Sequence, residues 1–204
     1  MTERVPHPTV LEGSLVRLVP LAPEHVGPLL RIAKASPDEY RYTSTPVTDE
    51  QAEKYFATAF AERESGHAYV FAAFHVPSGE LIGSSRFADI RWQHRNCELG
   101  YTWFRPDTHR SGVNVESKLL MLAMAFETLR WVRVQIHTDS RNIRSQRAIE
   151  ALGAVHEGVL KRHMIVKDGF IRDTMVYSVV DQDWPMVRER LIDRLRAHGI
   201  EPPA

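Results

Sequence analysis

The hydrophobic positions change period several times along the chain, and each change marks an element. Leu15-Val16-Arg17-Leu18-Val19 alternates and predicts a first strand. Pro23-Glu24-His25 opens a helix whose apolar residues Val26, Leu29, Leu30 and Ile32-Ala33 share one face. Residues 36–46 are rich in turn formers and tyrosine and read as a loop. Thr48-Asp49-Glu50-Gln51 starts a second helix, with Ala52, Tyr55, Phe56, Ala59 and Phe60 on one side. Two strands follow, Ala68 to His75 and Leu81 to Ile90, joined by the turn Pro77-Ser78-Gly79-Glu80. Glu98 to Phe104 is another strand. After a loop from Arg105 to Asn114, the residues Val115, Leu119, Leu120, Leu122, Ala123, Phe126 and Leu129 mark a long helix with a broad apolar face. Val132 to Thr138 alternates cleanly, and the helix after Asn142 stops at Gly153, a residue suited to a helix end. Val155 to Val166 and Phe170 to Val180 form a hairpin about Lys167-Asp168-Gly169. Trp184-Pro185 begins a last helix.

The order β-α-α-β-β-β-α-β-α-β-β-α predicts an α/β (α+β) fold. Meanders at both ends and two β-α crossovers in the middle imply a mixed, mostly antiparallel sheet. A length of 204 residues suits one domain, residues 11–182, with a C-terminal helix and tail at 183–204. Basic and acidic residues balance at 26 each, so no global field favours nucleic acid. The single cysteine, Cys97, excludes an internal disulfide and reads as a small strand residue. No apolar run reaches the roughly 18 residues that a membrane helix needs, and a cytoplasmic location is the expectation. The ten histidines are scattered without zinc-motif spacing, so no metal is expected. A Gly-x-Ser-x-Gly elbow is also missing.

Two segments carry chemistry. Arg105-Pro106-Asp107-Thr108-His109-Arg110-Ser111-Gly112-Val113-Asn114 runs from a strand end, through a glycine, into a helix start. The first N–H groups of a helix lack intrahelical partners, and the helix dipole favours an anion there. An ordinary strand-to-helix loop is the competing reading. Asn142-Ile143-Arg144-Ser145 opens the second helix, where Asn142 is a natural N-cap and Ser145 a first-turn serine.

The first segment resembles the coenzyme A pyrophosphate loop of the GCN5-related N-acetyltransferase (GNAT) family, of the form Gln/Arg-x-x-Gly-x-Gly/Ala. His109 and Asn114 depart from that form, and Gly112 keeps it. Leu15-Val16-Arg17-Leu18-Val19-Pro20-Leu21, Glu98-Leu99-Gly100-Tyr101, Asn142-x-x-Ser145, Ala151-Leu152-Gly153-Ala154 and Gly158-Val159-Leu160 extend the resemblance to nearly the whole chain. It points to the branch that includes ribosomal-protein N-terminal acetyltransferases, the RimJ/RimL type.

The resemblance implies the GNAT fold, whose central sheet splays at its middle strands and is flanked by helices. It implies acetyl-CoA as co-substrate, with the pantetheine arm between the strands at Glu98–Phe104 and Val132–Thr138. Trp103 and Phe104 would offer backbone contacts, although core packing of their side chains is an equal reading. Arg110, Ser111, Gly112, Val113, Asn114 and Val115 would wrap the pyrophosphate, and Asn142 would bond the arm. Ser145 would lie near the sulfur and could protonate the leaving thiolate. Glu98 is the first candidate for the base, ahead of His163 and Asp173, with a salt-bridged strand carboxylate as the competing reading of Glu98 and a surface strand residue that of His163.

The implied reaction is direct attack of a primary amine on the thioester in a ternary complex. The acceptor would be an amine-bearing small molecule, a peptide or a protein N-terminus, with no nucleic acid and no membrane as partner. The resemblance also allows a homodimer. Two alternatives stay open. One is a coenzyme A-binding regulatory module without turnover, suggested by the altered loop. The other is another donor such as succinyl-CoA, whose carboxylate needs a cation that Arg86, Arg162 or Arg172 could supply.

Overall fold

The computed structural model describes residue 7 and residues 9–203. Its strands are β1 (Leu11–Glu12), β2 (Val16–Pro20), β3 (Tyr69–His75), β4 (Leu81–Arg91), β5 (Asn96–Phe104), β6 (Arg133–Asp139), β7 (Val155–Ile165) and β8 (Ile171–Val180). Its α-helices are α1 (Pro23–Ala35), α2 (Asp49–Glu64), α3 (Val113–Ala123), α4 (Ile143–Leu152) and α5 (Trp184–Ala197). The strands form one sheet in the order β1-β2-β3-β4-β5-β6-β8-β7, antiparallel throughout except at the β5–β6 pair. This is the mixed, mostly antiparallel architecture that the element order predicts.

Local chemistry sets the helix limits. Thr48 caps α2 by accepting the Gln51 N–H, and Asn142 caps α4 by accepting the Ser145 N–H. Gly153 closes α4 at φ 105°, a conformation that glycine adopts without strain. The long helix after Gly112 differs from a uniform α-helix. Its α part ends at Ala123, and Met124–Thr128 is a π turn. That wider turn accompanies the seating of Phe126 against the Trp184 ring and of Glu127 on the Trp184 Nε1–H. Residues 36–46 also hold a short 3₁₀ turn, Pro37–Tyr40.

Helices cover both faces of the sheet. On one face α3, α4 and α5 pack against Leu99, Phe104, Val134, Ile136, Tyr177 and Val179. On the other, α1 and α2 enclose Val70, Ala72 and Trp103. Val187, Leu191 and Leu195 bring α5 into the first of these cores. A buried carboxylate ties the N-terminal strands to α3. Glu116 accepts the N–H groups of Ser14, Leu15 and Val16 at 2.8, 2.7 and 2.7 Å. Gly13 is required beside it, because a Cβ there would overlap the carboxylate.

Candidate active site

The sheet opens between β5 and β6. Parallel pairing covers only Asn96↔Arg133, Cys97↔Val134 and Glu98↔Gln135. Beyond that point β5 stays with β4 as far as Gly83↔Phe104, while β6 stays with β8 as far as Asp139↔Thr174. The inner edges of the two strands therefore diverge, and their backbone groups face a gap. Because the strands are parallel, their carboxyl ends share the wide end of the gap. The loop before α3 and the start of α4 both lie there, the usual position of a ligand crevice in such sheets.

A bulge in β5 shapes this opening. Tyr101 has φ 53°, and the register with β4 shifts between Ser84 and Arg86. The bulge resets the alternation of side chains. Leu99 and Phe104 pack on the α3 side and Thr102 bonds to Lys118 of α3, while Tyr101 and Trp103 meet Tyr55 and Tyr40 on the other side.

Glu98 sits at the vertex. Its Oε2 accepts from His137 Nδ1 at 2.9 Å, so a side-chain bond crosses the gap just past the last backbone pair. Both side chains are largely shielded. Glu98 also lines a cleft of about 580 Å³ together with Glu62, His67, Asp89 and Tyr101. Behind this cleft Arg86, only 2% exposed, stacks on Tyr101 with 3.7 Å from guanidinium carbon to ring centre. Its NH1 also reaches Glu62 at 3.0 Å. Burial opposes the Arg86 charge, but Tyr55, Tyr101 and Glu62 outweigh it and raise its pKa.

The loop before α3 is tightly internally bonded. Arg105 is pinned by Asp107 and Glu80, Thr108 Oγ1 donates to the Arg105 carbonyl, and Ser111 Oγ donates to the Thr108 carbonyl. Arg110 adopts φ 62° and Gly112 φ 92°. A Cβ at Gly112 would stand 2.5 Å from Ile200 Cδ1, so both conformation and packing demand glycine. Among the described residues the N–H groups of Gly112, Asn114 and Val115 have no partner. Val113 N reaches only Ser111 Oγ, at 3.4 Å. This terminus can accept an anion. Burial and the nearby Arg144 guanidinium hold the His109 imidazole below its ordinary pKa, so His109 adds little positive charge to the loop.

At the start of α4 the Asn142 Oδ1 takes the Ser145 N–H at 3.1 Å, while the Ser145 hydroxyl has no partner among the described residues. The remaining candidates divide. The Trp103 and Phe104 side chains are core, and the backbone of both borders the gap. His163 bonds to Thr174 Oγ1 at 3.0 Å on the outer hairpin. Asp173 is occupied by Lys161 Nζ and the Arg162 N–H. Cys97 is buried, and that burial pushes its thiol pKa up, which removes it as a nucleophile.

Three features escape a reading by motif. His137 follows from alternation, since Val134 and Ile136 face the α3 core and residue 137 must face the other way. The second is Lys118, whose Nζ donates to Thr102 Oγ1 at 2.6 Å, with Ser85 Oγ 2.7 Å from the same hydroxyl. Burial lowers the Lys118 pKa to about 7. The third is a roof over the wide end of the gap. Lys167 in the β7–β8 turn donates to the Tyr40 and Thr45 carbonyls at 2.9 and 3.0 Å. Arg141 lies against both Phe170 and Tyr42.

Comparison with known proteins agrees with this geometry. A family described as the acetyltransferase (GNAT) domain matches residues 16–155. An uncharacterised N-acetyltransferase of Bacillus subtilis, YoaA, is 33% identical over 101 residues, which is 50% of this chain and 56% of YoaA. The chain thus spans little more than half the length of that relative. A T. thermophilus protein with a provisional acetyltransferase assignment superposes with TM-score 0.81 at 37% identity, covering 93% of this chain and 98% of that one. The RimJ protein of Mycobacterium smegmatis, solved with CoA-disulfide, shares the fold at TM-score 0.79 and 19% identity, over 97% of this chain and 98% of its own. The open β5–β6 edge, the α3 terminus beside it and the family match over residues 16–155 lead to one conclusion: the chain belongs to the acetyltransferase (GNAT) family.

Proposed function

We propose that the protein is an N-acetyltransferase that moves the acetyl group of acetyl-CoA to a primary amine by direct attack in a ternary complex. The observation that carries this reading is the divergence of β5 from β6 directly above the Glu98–His137 contact. An extended chain with amide groups can lie in that gap and pair with the free β5 edge, as in strand addition. Arg110 to Val115 would receive the pyrophosphate, and Asn142 would bond the pantetheine through its free amide nitrogen. RimL, which this chain resembles in fold, is described as a ribosomal L7/L12 alpha-N-protein acetyltransferase, so its acceptor is a protein. A peptide or protein N-terminus is therefore the acceptor class favoured for this chain.

The residues divide the work between them. Acetyl-CoA supplies an acyl carbon bound to a good leaving group. Glu98 takes the ammonium proton, and His137 holds the carboxylate toward the cleft. The amine nitrogen then bonds to the acyl carbon as the C–S bond breaks. A β5 backbone N–H stabilises the developing oxyanion. The Ser145 hydroxyl gives its proton to the leaving thiolate and takes up the second proton that the nitrogen sheds, so the neutral amide and thiol are released with one proton left on Glu98. A peptide α-amine costs about 1–1.4 kcal/mol to deprotonate at pH 7, whereas a lysine side chain costs about 4.6 kcal/mol. One carboxylate base suffices for the first.

Calorimetric titration with acetyl-CoA tests binding, and coenzyme A thiol release with a panel of peptides and amines tests transfer. Micromolar binding with thiol release is the expected result. Tight binding with no release from any amine would instead identify a coenzyme A-binding module, and no binding below about millimolar would remove the reading altogether.

A further inference from the structure

Toward the wide end of the gap lies a cation that has no carboxylate partner among the described residues. Arg172 lies on β8, whose odd residues Tyr177 and Val179 face the α3 core. Its even residues therefore share the opposite face with His137 and Asp139, their partners on β6 being Val176 and Thr174. Arg172 Nε donates to Thr174 Oγ1 at 2.8 Å, which turns the guanidinium back over Thr174, itself fully buried. Among the described residues no carboxylate comes within 4.0 Å of it, and its terminal nitrogens have no partner. The neighbouring acid is already committed. Asp139 is covered and takes two side-chain bonds from Arg141, at 3.0 and 2.7 Å. Glu98 is engaged by His137.

The other two arginines considered for an anion are excluded. Arg86 is sealed between Tyr101, Tyr55 and Glu62. Arg162 is exposed on β7. A half-buried guanidinium is costly unless an anion meets it, and its planar fork suits a carboxylate. Burial lowers the Arg172 pKa, with the charges of Asp139 and Glu98 opposing that effect. The same face thus carries Glu98 at the narrow end and Arg172 toward the wide end. His137, Tyr101, His163 and Arg141 are the other titratable groups around them.

Resting on the acetyltransferase reading above, we infer that the acceptor amine carries a carboxylate of its own, with the ammonium at Glu98 and the carboxylate on Arg172. The carboxylate is either that of a free amino acid or an acidic side chain next to a peptide N-terminus. Both present one anion a few atoms from the reacting nitrogen.

Matched acceptors test this. Thiol release with acetyl-CoA would be measured for β-alanine against β-alaninamide, and for a peptide beginning Ala-Asp against the same peptide beginning Ala-Asn. In at least one pair kcat/KM is expected to be about tenfold or more higher for the acid, as a charge-assisted contact allows. Arg172→Met would bring that ratio to about one, and Arg172→Lys would keep part of it. Ratios near one for both pairs in the wild type, or a ratio that survives Arg172→Met, would overturn the inference. An Arg172-dependent preference for succinyl-CoA over acetyl-CoA, without acceptor selectivity, would assign the anion to the donor instead. If no amine is turned over, the acetyltransferase reading fails separately. The carboxylate site is then read by calorimetry with N-acetyl-β-alanine, whose binding must exceed that of its amide and vanish in Arg172→Met.

Discussion

His137 Nδ1 bonds to Glu98 Oε2 at 2.9 Å across the opening of the sheet, linking the last paired residue of β5 to the residue two past the last pair on β6. The contact joins the two diverging strands through side chains once their backbones have parted. It also leaves the second Glu98 oxygen close to Gly100, where a Cβ would lie 2.8 Å from Oε1. The absence of a side chain at Gly100 thus leaves room for the carboxylate that His137 holds.

Glu98→Gln keeps the shape of the side chain and removes its basicity. It is expected to lower kcat about 10²-fold or more, with a smaller change in KM for acetyl-CoA. His137→Ala would cost less, about tenfold, because it frees the carboxylate without removing it. Steady-state kinetics with one peptide acceptor checks both. An unchanged kcat in Glu98→Gln would take the base role away from this residue.

Lys118 gives a pH-dependent stability. Its pKa in the folded protein is about 7, below its ordinary 10.5. Between those values the unfolded chain binds a proton that the folded protein does not, so stability rises as pH increases from about 7 toward 10.5. Well below pH 7 both states are protonated and the full cost of the buried charge is present. Lys118→Met is therefore expected to be more stable than the wild type by on the order of 1–3 kcal/mol at pH 6–7, with the advantage fading above pH 10. Thermal melts across pH measure this. A variant less stable at pH 6 would show that the bond to Thr102 outweighs the charge.

Glu116 accepts three backbone N–H groups from residues 14–16. Glu116→Ala strands them in a largely buried place, and a loss of about 3 kcal/mol or more is expected. Hydrogen exchange at Leu15 and Val16 should accelerate with it. Urea unfolding of the variant at wild-type midpoint would show that water replaces the carboxylate.

Gly112→Ala meets both a left-handed backbone and the side chain of Ile200. A loss of about 1–3 kcal/mol is expected, together with weaker acetyl-CoA binding, because the α3 N–H groups shift with the residue. Pairing it with Ile200→Ala should recover stability in part and binding less.

Much of the fold was legible in the chain. The alternation at Val132–Thr138, the cap at Asn142, the stop at Gly153 and the turn at Lys167-Asp168-Gly169 are local signals, and each element forms where its signal lies. The π turn at Met124–Thr128 was not legible, because it accompanies packing against Trp184, which lies more than fifty residues away. The candidate site divides along the same line. Gly112, Asn142 and Glu98 stood out through short motifs. His137, Lys118 and the roof made by Lys167 and Arg141 did not, since each acts on a residue distant in sequence.

The sequence by itself determined which residues form strands and helices, because periodicity, caps and turn residues act within a few positions. It also determined the family, because the ordered segments from Leu15 to Gly158 are specific as a set. Only the tertiary structure decided that β5 parts from β6 after Glu98, that His137 meets Glu98 there, and that Arg172 shares their face with no carboxylate partner among the described residues. Register and facing depend on which strands pair and where a bulge resets alternation, and the bulge at Tyr101 accompanies its contacts with Arg86 of β4 and Tyr55 of α2.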